Sequence, residues 1–170
     1  MTDFVFDIKK YMGTWYELMH YPSWFQRNDN YNTMAQYSLN NNGTVSVHNS
    51  TIANGKPFDS YGSANLIGPG LFHVKFPIPE ISKISNSPEF KINIPTTEYF
   101  NPLIPNYAID TLWTNAQGDY IFAVVTDLNH NSLYVLSRFK HPCLKSYSDI
   151  MNYVISKFDR DRLVQTPQFD

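Results

Sequence analysis

Hydrophobic and polar residues alternate along most of this chain with the two-residue period of β-strands. Strand-like segments recur at 14–20, 33–39, 45–51, 60–66, 71–76, 107–113, 120–126 and 132–138. Turn residues separate neighbouring segments, and the clearest turn is Asn-Asn-Asn-Gly at 40–43. Asn and Gly tolerate the positive φ angles of tight hairpins. The pattern therefore predicts eight antiparallel strands joined in hairpin order.

The periodicity changes to that of a helix after Pro142. Ser146 with Asp149 predicts a capping box at the start of this helix. Ile150, Val154 and Phe158 then recur at every fourth position and form one apolar stripe suited to packing on a sheet. A short final strand is predicted at 163–166.

Eight antiparallel strands with short turns can close into a barrel that holds one small ligand. A β-sandwich accommodates the same strand count, but consecutive hairpins and a single late helix favour the barrel. A length of 170 residues suits one domain spanning 1–170. We therefore predict an all-β fold, an eight-stranded antiparallel up-and-down β-barrel with one C-terminal helix packed outside it.

Residues 77–106 interrupt the alternation. This segment contains Pro77, Pro79, Pro88, Pro95, Pro102 and Pro105, which is six of the 11 prolines in the chain. Such a density of proline argues against a regular central strand or helix. The segment is nevertheless rich in apolar residues, which a disordered linker would lack. It is predicted to be an ordered insertion between the fifth and sixth strands, with a short strand near 90–94.

Charge and cysteine content limit the classes of partner and compartment. The formal net charge is -2 and no basic stripe is present, so nucleic acid is not an expected partner. The single cysteine, Cys143, cannot form an intramolecular disulfide, which favours a reducing compartment. Neither a signal-peptide pattern nor a membrane-spanning apolar run is present, so an integral membrane protein is not expected. A full-length chain is predicted to be intracellular or particle-associated, and secreted or periplasmic only if a leader was trimmed.

Two short motifs near the chain ends resemble a known family. Residues 13–17 read Gly-Thr-Trp-Tyr-Glu and residues 133–138 read Leu-Tyr-Val-Leu-Ser-Arg. With the intervening strands and the late helix, they resemble the lipocalins, particularly bacterial outer-membrane lipocalins and apolipoprotein D. The resemblance implies a carrier of hydrophobic ligands in which Trp15 plugs the closed end of the barrel and Arg138 lies over it. Gly13, Trp15 and Arg138 would thus form a structural signature.

The strand alternation, with its faces set by the resemblance, predicts which side chains point into the barrel. Trp15, Glu17 and Met19 share one face of the first strand. The candidate ligand-binding residues are Tyr37, Asn49, Thr51, Phe72, Val74, Phe76, Tyr134 and Leu136. If the first strand starts at the closed end, residues 77–106 connect strands at the open mouth. That segment is then predicted to be a lid or a partner-docking surface.

Catalytic and metal chemistry find little support in the sequence. The five histidines show no metal-ligand spacing, and their strand positions mostly point outward, so neither a metal nor a heme cofactor is expected. Cys143 lies beyond the last strand, at the closed end and remote from the interior. Glu17 is the one carboxylate predicted to face inward, beside Trp15, where a structural hydrogen-bonding role is expected.

The predicted function is non-enzymatic binding and transport of a small hydrophobic molecule, such as a fatty acid, a lysophospholipid or a similar lipid. One alternative is a protein-interaction or homo-oligomerising barrel that uses residues 77–106. The other is an enzyme acting on a lipid or isoprenoid, which would need a convergent acid–base pair inside the barrel.

Overall fold

The computed structural model describes residues 5–23, 26, 28–76 and 101–170. Its helices are α1 (Ile8–Tyr11) and α2 (Leu144–Lys157), followed by a 3-10 turn (Arg160–Arg162). Its strands are β1 (Gly13–His20), β2 (Tyr31–Leu39), β3 (Val45–Ala53), β4 (Lys56–Gly68), β5 (Leu71–Lys75), β6 (Tyr107–Thr114), β7 (Tyr120–Thr126), β8 (Leu133–Ser137) and β9 (Val164–Gln165). The eight predicted strands and the short final strand are confirmed. The strand predicted near 90–94 lies outside the described residues.

Strands β1 to β8 form a closed barrel. Each strand pairs antiparallel with the next along the chain, and β8 pairs with β1, which also pairs with β2. The β2–β3 hairpin turns at Gly43, whose φ of 83° is the left-handed conformation predicted for that turn. Closure of the sheet confirms the predicted up-and-down barrel and excludes the sandwich.

Helix α2 packs on the outer face of the barrel. Its buried residues Ile150 and Val154, with Phe158 just beyond its end, form an apolar cluster with β7 and β8 side chains. The predicted apolar stripe is therefore confirmed. The predicted capping box is wrong, because α2 begins at Leu144 and Ser146 already lies in its first turn. The carboxylate of Asp149 instead lies 2.8 Å from the amino group of Lys145.

A β-bulge in β1 reverses the alternation predicted for its second half. Glu17 lies opposite Leu136, but the next matched residue, Met19, lies opposite Val135, so Leu18 is an extra residue on this strand. Where two residues of one strand lie opposite a single residue of its partner, the alternation of inward- and outward-facing side chains shifts by one position. Met19 consequently packs in the outer cluster rather than inside. The prediction that Met19 shares the inner face with Trp15 is wrong.

The C-terminal tail, residues 166–170, completes one seam of the barrel. The first half of β1 pairs with β2, whereas its second half pairs with β9. Beyond β9 the side-chain amide of Gln168 donates to the backbone carbonyls of Glu17 and Thr33, both at 2.8 Å. The tail therefore bridges β1 and β2 where the two strands no longer pair directly.

Candidate ligand site in the barrel

The closed end of the barrel is built around Trp15, which is fully buried. The guanidinium carbon of Arg138 lies 3.8 Å from the centroid of the indole ring. Gly13 has a φ of 97°, and a Cβ atom there would lie 3.3 Å from Nη1 of Arg138. The guanidinium also donates hydrogen bonds to the carbonyl oxygens of Lys10, Tyr11, Met12, Thr14 and Tyr120. These contacts give the three signature residues a structural role.

Three tyrosines fill the interior next to the closed end. The hydroxyl of Tyr107 lies 2.6 Å from that of Tyr11 and 3.1 Å from that of Tyr37. Burial raises the pKa of Tyr37 to about 12 and the pKa values of Tyr11 and Tyr107 well above their usual range. A cavity of about 10 Å³ remains among these rings and Phe72, and a space of that size holds about one water molecule. Protein side chains therefore fill this lower barrel.

The eight predicted ligand-binding residues lie on the inner side of the barrel wall. Phe72 and Leu136 are buried in the interior cluster, and Tyr37, Val74, Phe76 and Tyr134 pack against it. Asn49 lies opposite Ala35, which in turn lies opposite Trp15, so Asn49 shares their inner face. Thr51 follows on the same face by alternation, and its hydroxyl is 2.7 Å from that of Thr33. Their role as ligand contacts stays a prediction.

The interior nearer the open mouth, termed the upper barrel, contains both exposed and partly buried aromatic side chains. Phe58 lies opposite Thr51 on β4 and is 59% exposed. Burial raises the pKa of Tyr134, and the Glu17 carboxylate raises it further. By accessible surface, however, the residue is only partly buried. The upper barrel is therefore the candidate position for a ligand.

Phe76 reaches the upper barrel because its neighbour on β4 is glycine. A Cβ atom at Gly62 would lie 2.8 Å from the ring of Phe76 and 2.6 Å from the carbonyl oxygen of Lys75. Such distances are shorter than real contacts between these atoms. Any side chain at Gly62 would therefore displace the Phe76 ring or the backbone of β5.

A buried polar cluster of Glu17, His20, Gln26 and Thr166 lies beside the upper barrel. Oε1 of Glu17 accepts hydrogen bonds from Nε2 of Gln26 at 2.6 Å and from the Thr166 hydroxyl at 2.5 Å. Nδ1 of His20 lies 2.9 Å from the same oxygen. All four residues are at most 7% exposed. Glu17 has the structural hydrogen bonds predicted for it, but its partners come from segments that strand alternation does not describe.

His20 is an exception to the prediction that the strand positions of the histidines mostly point outward. The bulge at Leu18 places it opposite Tyr134, whose side chain packs in the interior. The Thr166 hydroxyl donates its one hydrogen to Glu17, so it accepts a hydrogen bond from Nδ1 of His20 at 2.8 Å, and Nδ1 therefore carries a hydrogen. Nε2 of His20 is buried and has no hydrogen-bond partner among the described residues. A regular alternation could not reveal this position, since nothing in the sequence marks the bulge.

Two further features of the described part of the chain concern metals and membranes. Within residues 5–23, 26, 28–76 and 101–170, no group of three His, Cys, Asp or Glu side chains converges to hold a metal ion. In the same part of the chain, neither helix has the length and apolar character needed to cross a membrane.

A closed eight-stranded antiparallel barrel with one end plugged by a tryptophan and an apolar interior defines a class of small-molecule-binding barrels. A family model described as a lipocalin-like domain matches residues 6–168, and the chain belongs to the lipocalin family. Family membership implies binding of small hydrophobic ligands. The predicted closeness to bacterial lipocalins and apolipoprotein D stays a prediction.

Known relatives agree with this assignment. The chain is 30% identical over 166 residues to temperature-induced lipocalin-1 of Arabidopsis thaliana, covering 96% of this chain and 80% of that protein. The cockroach allergen Per a 4 has a similar structure, with a TM-score of 0.61, 16% identity, and coverage of 99% of this chain and 94% of the allergen. Lobster apocrustacyanin A1 also gives a TM-score of 0.61 at 16% identity, covering 96% and 81% of the two chains. The two structures support the fold alone.

Proposed function

We propose that this protein binds and carries one lipid-like molecule, with the hydrocarbon chain in the upper barrel, and catalyses no reaction on it. The apolar composition of the inner wall carries the proposal. The lower barrel retains a cavity of only about 10 Å³. Towards the mouth, Phe58 is 59% exposed, and Phe76 and Tyr134 are partly buried. An apolar wall with a few polar groups is the usual composition of a ligand pocket.

Burial of a hydrocarbon chain supplies enough free energy for useful binding. Each buried methylene group contributes about 0.8 kcal/mol, so a long acyl chain offers on the order of 10 kcal/mol. Association and ordering costs reduce this gain, and micromolar affinity is the expected range.

The Glu17–His20 pair is the observation that most favours the alternative of an enzyme. In a catalytic dyad, however, the imidazole nitrogen remote from the carboxylate faces a nucleophile. Among the described residues no nucleophilic side chain contacts Nε2 of His20. The hydroxyl of Thr166 approaches Nδ1 instead, at 2.8 Å, and also bonds the carboxylate. This arrangement supports a binding role over hydroxyl activation.

A pair of tryptophan substitutions on one strand tests the carrier proposal. Ser60 lies opposite Asn49 on the inner face of β4, whereas Ser63 lies opposite Ser46 and is exposed. In a titration with the fluorescent apolar probe N-phenyl-1-naphthylamine, Ser60→Trp should weaken binding at least tenfold, because the indole occupies the upper barrel. Ser63→Trp should bind as the wild type does. Equal affinities of all three proteins, or no binding by the wild type, would contradict the proposal.

Residues 77–106 carry a separate prediction from the sequence, namely a lid or a docking surface. Deletion of residues 80–104 should accelerate release of the probe if the segment covers the mouth. An unchanged affinity and off-rate would exclude the lid. A dimer that native mass spectrometry detects in the full chain, and loses after the deletion, would support the oligomer alternative.

A further inference from the structure

We propose that Glu17, His20 and Tyr134 form a head-group site that selects an uncharged, hydroxyl-bearing lipid over a fatty acid carboxylate. This inference rests on the proposed function, because it assigns the polar end of the same ligand. It concerns hydrogen bonding and charge only and requires no chemical step.

The three residues lie together on the inner wall of the barrel. His20 and Tyr134 lie directly opposite each other on β1 and β8, and Glu17 lies opposite Leu136 on the same pair of strands. Side chains of directly opposed residues are neighbours, with Cβ atoms about 5 Å apart. The effect of the Glu17 carboxylate on the pKa of Tyr134 is consistent with this proximity.

Two polar atoms of this group lack a hydrogen-bond partner among the described residues. The hydroxyl of Tyr134 has no hydrogen-bond partner among the described residues, and its partly buried side chain packs against the interior cluster. Nε2 of His20 is buried without a partner, in a side chain that is 0% exposed. Because Nδ1 carries the hydrogen that faces the Thr166 hydroxyl, Nε2 of a neutral imidazole is an acceptor. A buried acceptor without a partner is unfavourable, and a ligand hydroxyl can donate to it.

The charge of the site disfavours a carboxylate ligand. The Glu17 carboxylate is 4% exposed, and Gln26 and Thr166, which donate hydrogen bonds to it, are uncharged. Among the described residues, the arginine that contacts the interior is Arg138, and it lies at the closed end against Trp15. A carboxylate head group in the upper barrel would therefore approach the Glu17 carboxylate, and no lysine or arginine side chain of the described residues contacts Glu17, His20 or Tyr134. Like charges in a partly desolvated site repel strongly.

Matched ligands of equal chain length test the selection. Dodecanol and dodecanoate should be compared at pH 8 as competitors for N-phenyl-1-naphthylamine. The wild type should bind the alcohol at least about tenfold more tightly than the carboxylate. Glu17→Gln preserves size and removes the charge, so it should reduce this ratio about tenfold, mainly through tighter binding of dodecanoate. Tighter binding of dodecanoate to the wild type, or an unchanged ratio in Glu17→Gln, would overturn the inference.

Two further variants test the hydrogen bonds and cover the case in which Glu17→Gln does not fold. Tyr134→Phe and His20→Leu should each weaken dodecanol binding about three- to tenfold, the loss expected for one hydrogen bond. Tyr153→Phe is the matched control, because its hydroxyl bonds Asp110 outside the barrel at 2.6 Å. Equal dodecanol affinity in Tyr134→Phe and Tyr153→Phe would contradict the assignment of Tyr134. If the probe binds but the two competitors are equivalent, the head-group inference fails alone; if the probe does not bind, the carrier proposal fails.

Discussion

Arg138 should be the most important single polar side chain for the stability of the closed end. Its guanidinium stacks on Trp15 at 3.8 Å and donates to five backbone carbonyls, four of them in part-buried contacts. Four such bonds at about 0.5–1.5 kcal/mol each, plus a cation–π interaction of about 0.5–2 kcal/mol, set an upper range of roughly 2.5–8 kcal/mol. Water can replace part of these bonds after substitution. We therefore expect Arg138→Met to lower the free energy of unfolding by about 3 kcal/mol.

The assay is urea and thermal unfolding followed by circular dichroism. For a chain of this length, about 3 kcal/mol corresponds to a fall in Tm of roughly 6–12 °C. Arg162→Met is the matched control, since Arg162 also lies over an aromatic ring, at 4.2 Å from Tyr21, but is exposed and donates to one carbonyl. The control should lose less than about 1 kcal/mol. Equal losses of unfolding free energy in the two variants would refute the reasoning, because the contacts of Arg138 at the closed end would then contribute no more than those of a surface arginine.

Three other predictions concern the interior, the helix and the tail. Burial raises the pKa of Tyr37 from 10.0 to about 12. Between pH 10 and pH 12 the folded state therefore keeps a proton on Tyr37 that the unfolded state releases. The free energy of unfolding should be unaffected below pH 10 and should fall by about 3 kcal/mol towards pH 12. Urea unfolding of Tyr37→Phe should lack this fall. Ile150→Ala should lose about 2–4 kcal/mol and Ile155→Ala, on the exposed side of α2, less than about 1 kcal/mol, and a reversed order in thermal unfolding would contradict the packing. Deletion of residues 166–170 should lower the free energy of unfolding by about 2 kcal/mol. Several hydrogen bonds of about 1 kcal/mol each are lost, and the conformational entropy of the freed chain offsets part of that loss. An unchanged urea midpoint would show that the tail does not stabilise the contact between β1 and β2.

The period-two pattern was sufficient to predict the barrel, because alternation along each strand determines which face is buried. It also placed Phe72, Leu136 and Tyr134 on the inner side, as the structure does. The turns were predictable for a local reason, since residues such as Gly43 adopt positive φ angles that few other residues tolerate. These features depend on neighbours in sequence or on a strict periodicity.

The polar cluster was not predictable from the same pattern. His20 faces inward only because Leu18 is an extra residue in β1, and a bulge leaves no mark in the alternation. Gln26 belongs to a connection between strands and Thr166 to the C-terminal tail, so neither follows a period. Tyr11 precedes the first strand, yet its ring lies 5.0 Å from that of Trp15 within the interior. Each of these positions depends on contacts between segments distant in the chain.

The bulge, the tail and the polar cluster form one connected unit, which has a consequence for ligand binding. The extra residue in β1 turns His20 towards Glu17, and the second half of β1 then pairs with β9, the strand that leads into the tail. That pairing brings the hydroxyl of Thr166 to 2.5 Å from the Glu17 carboxylate. Removal of the tail therefore takes a hydrogen-bond donor from a buried carboxylate as well as opening a seam. A change at the end of the chain should consequently alter head-group selection inside the barrel, because the two share Glu17.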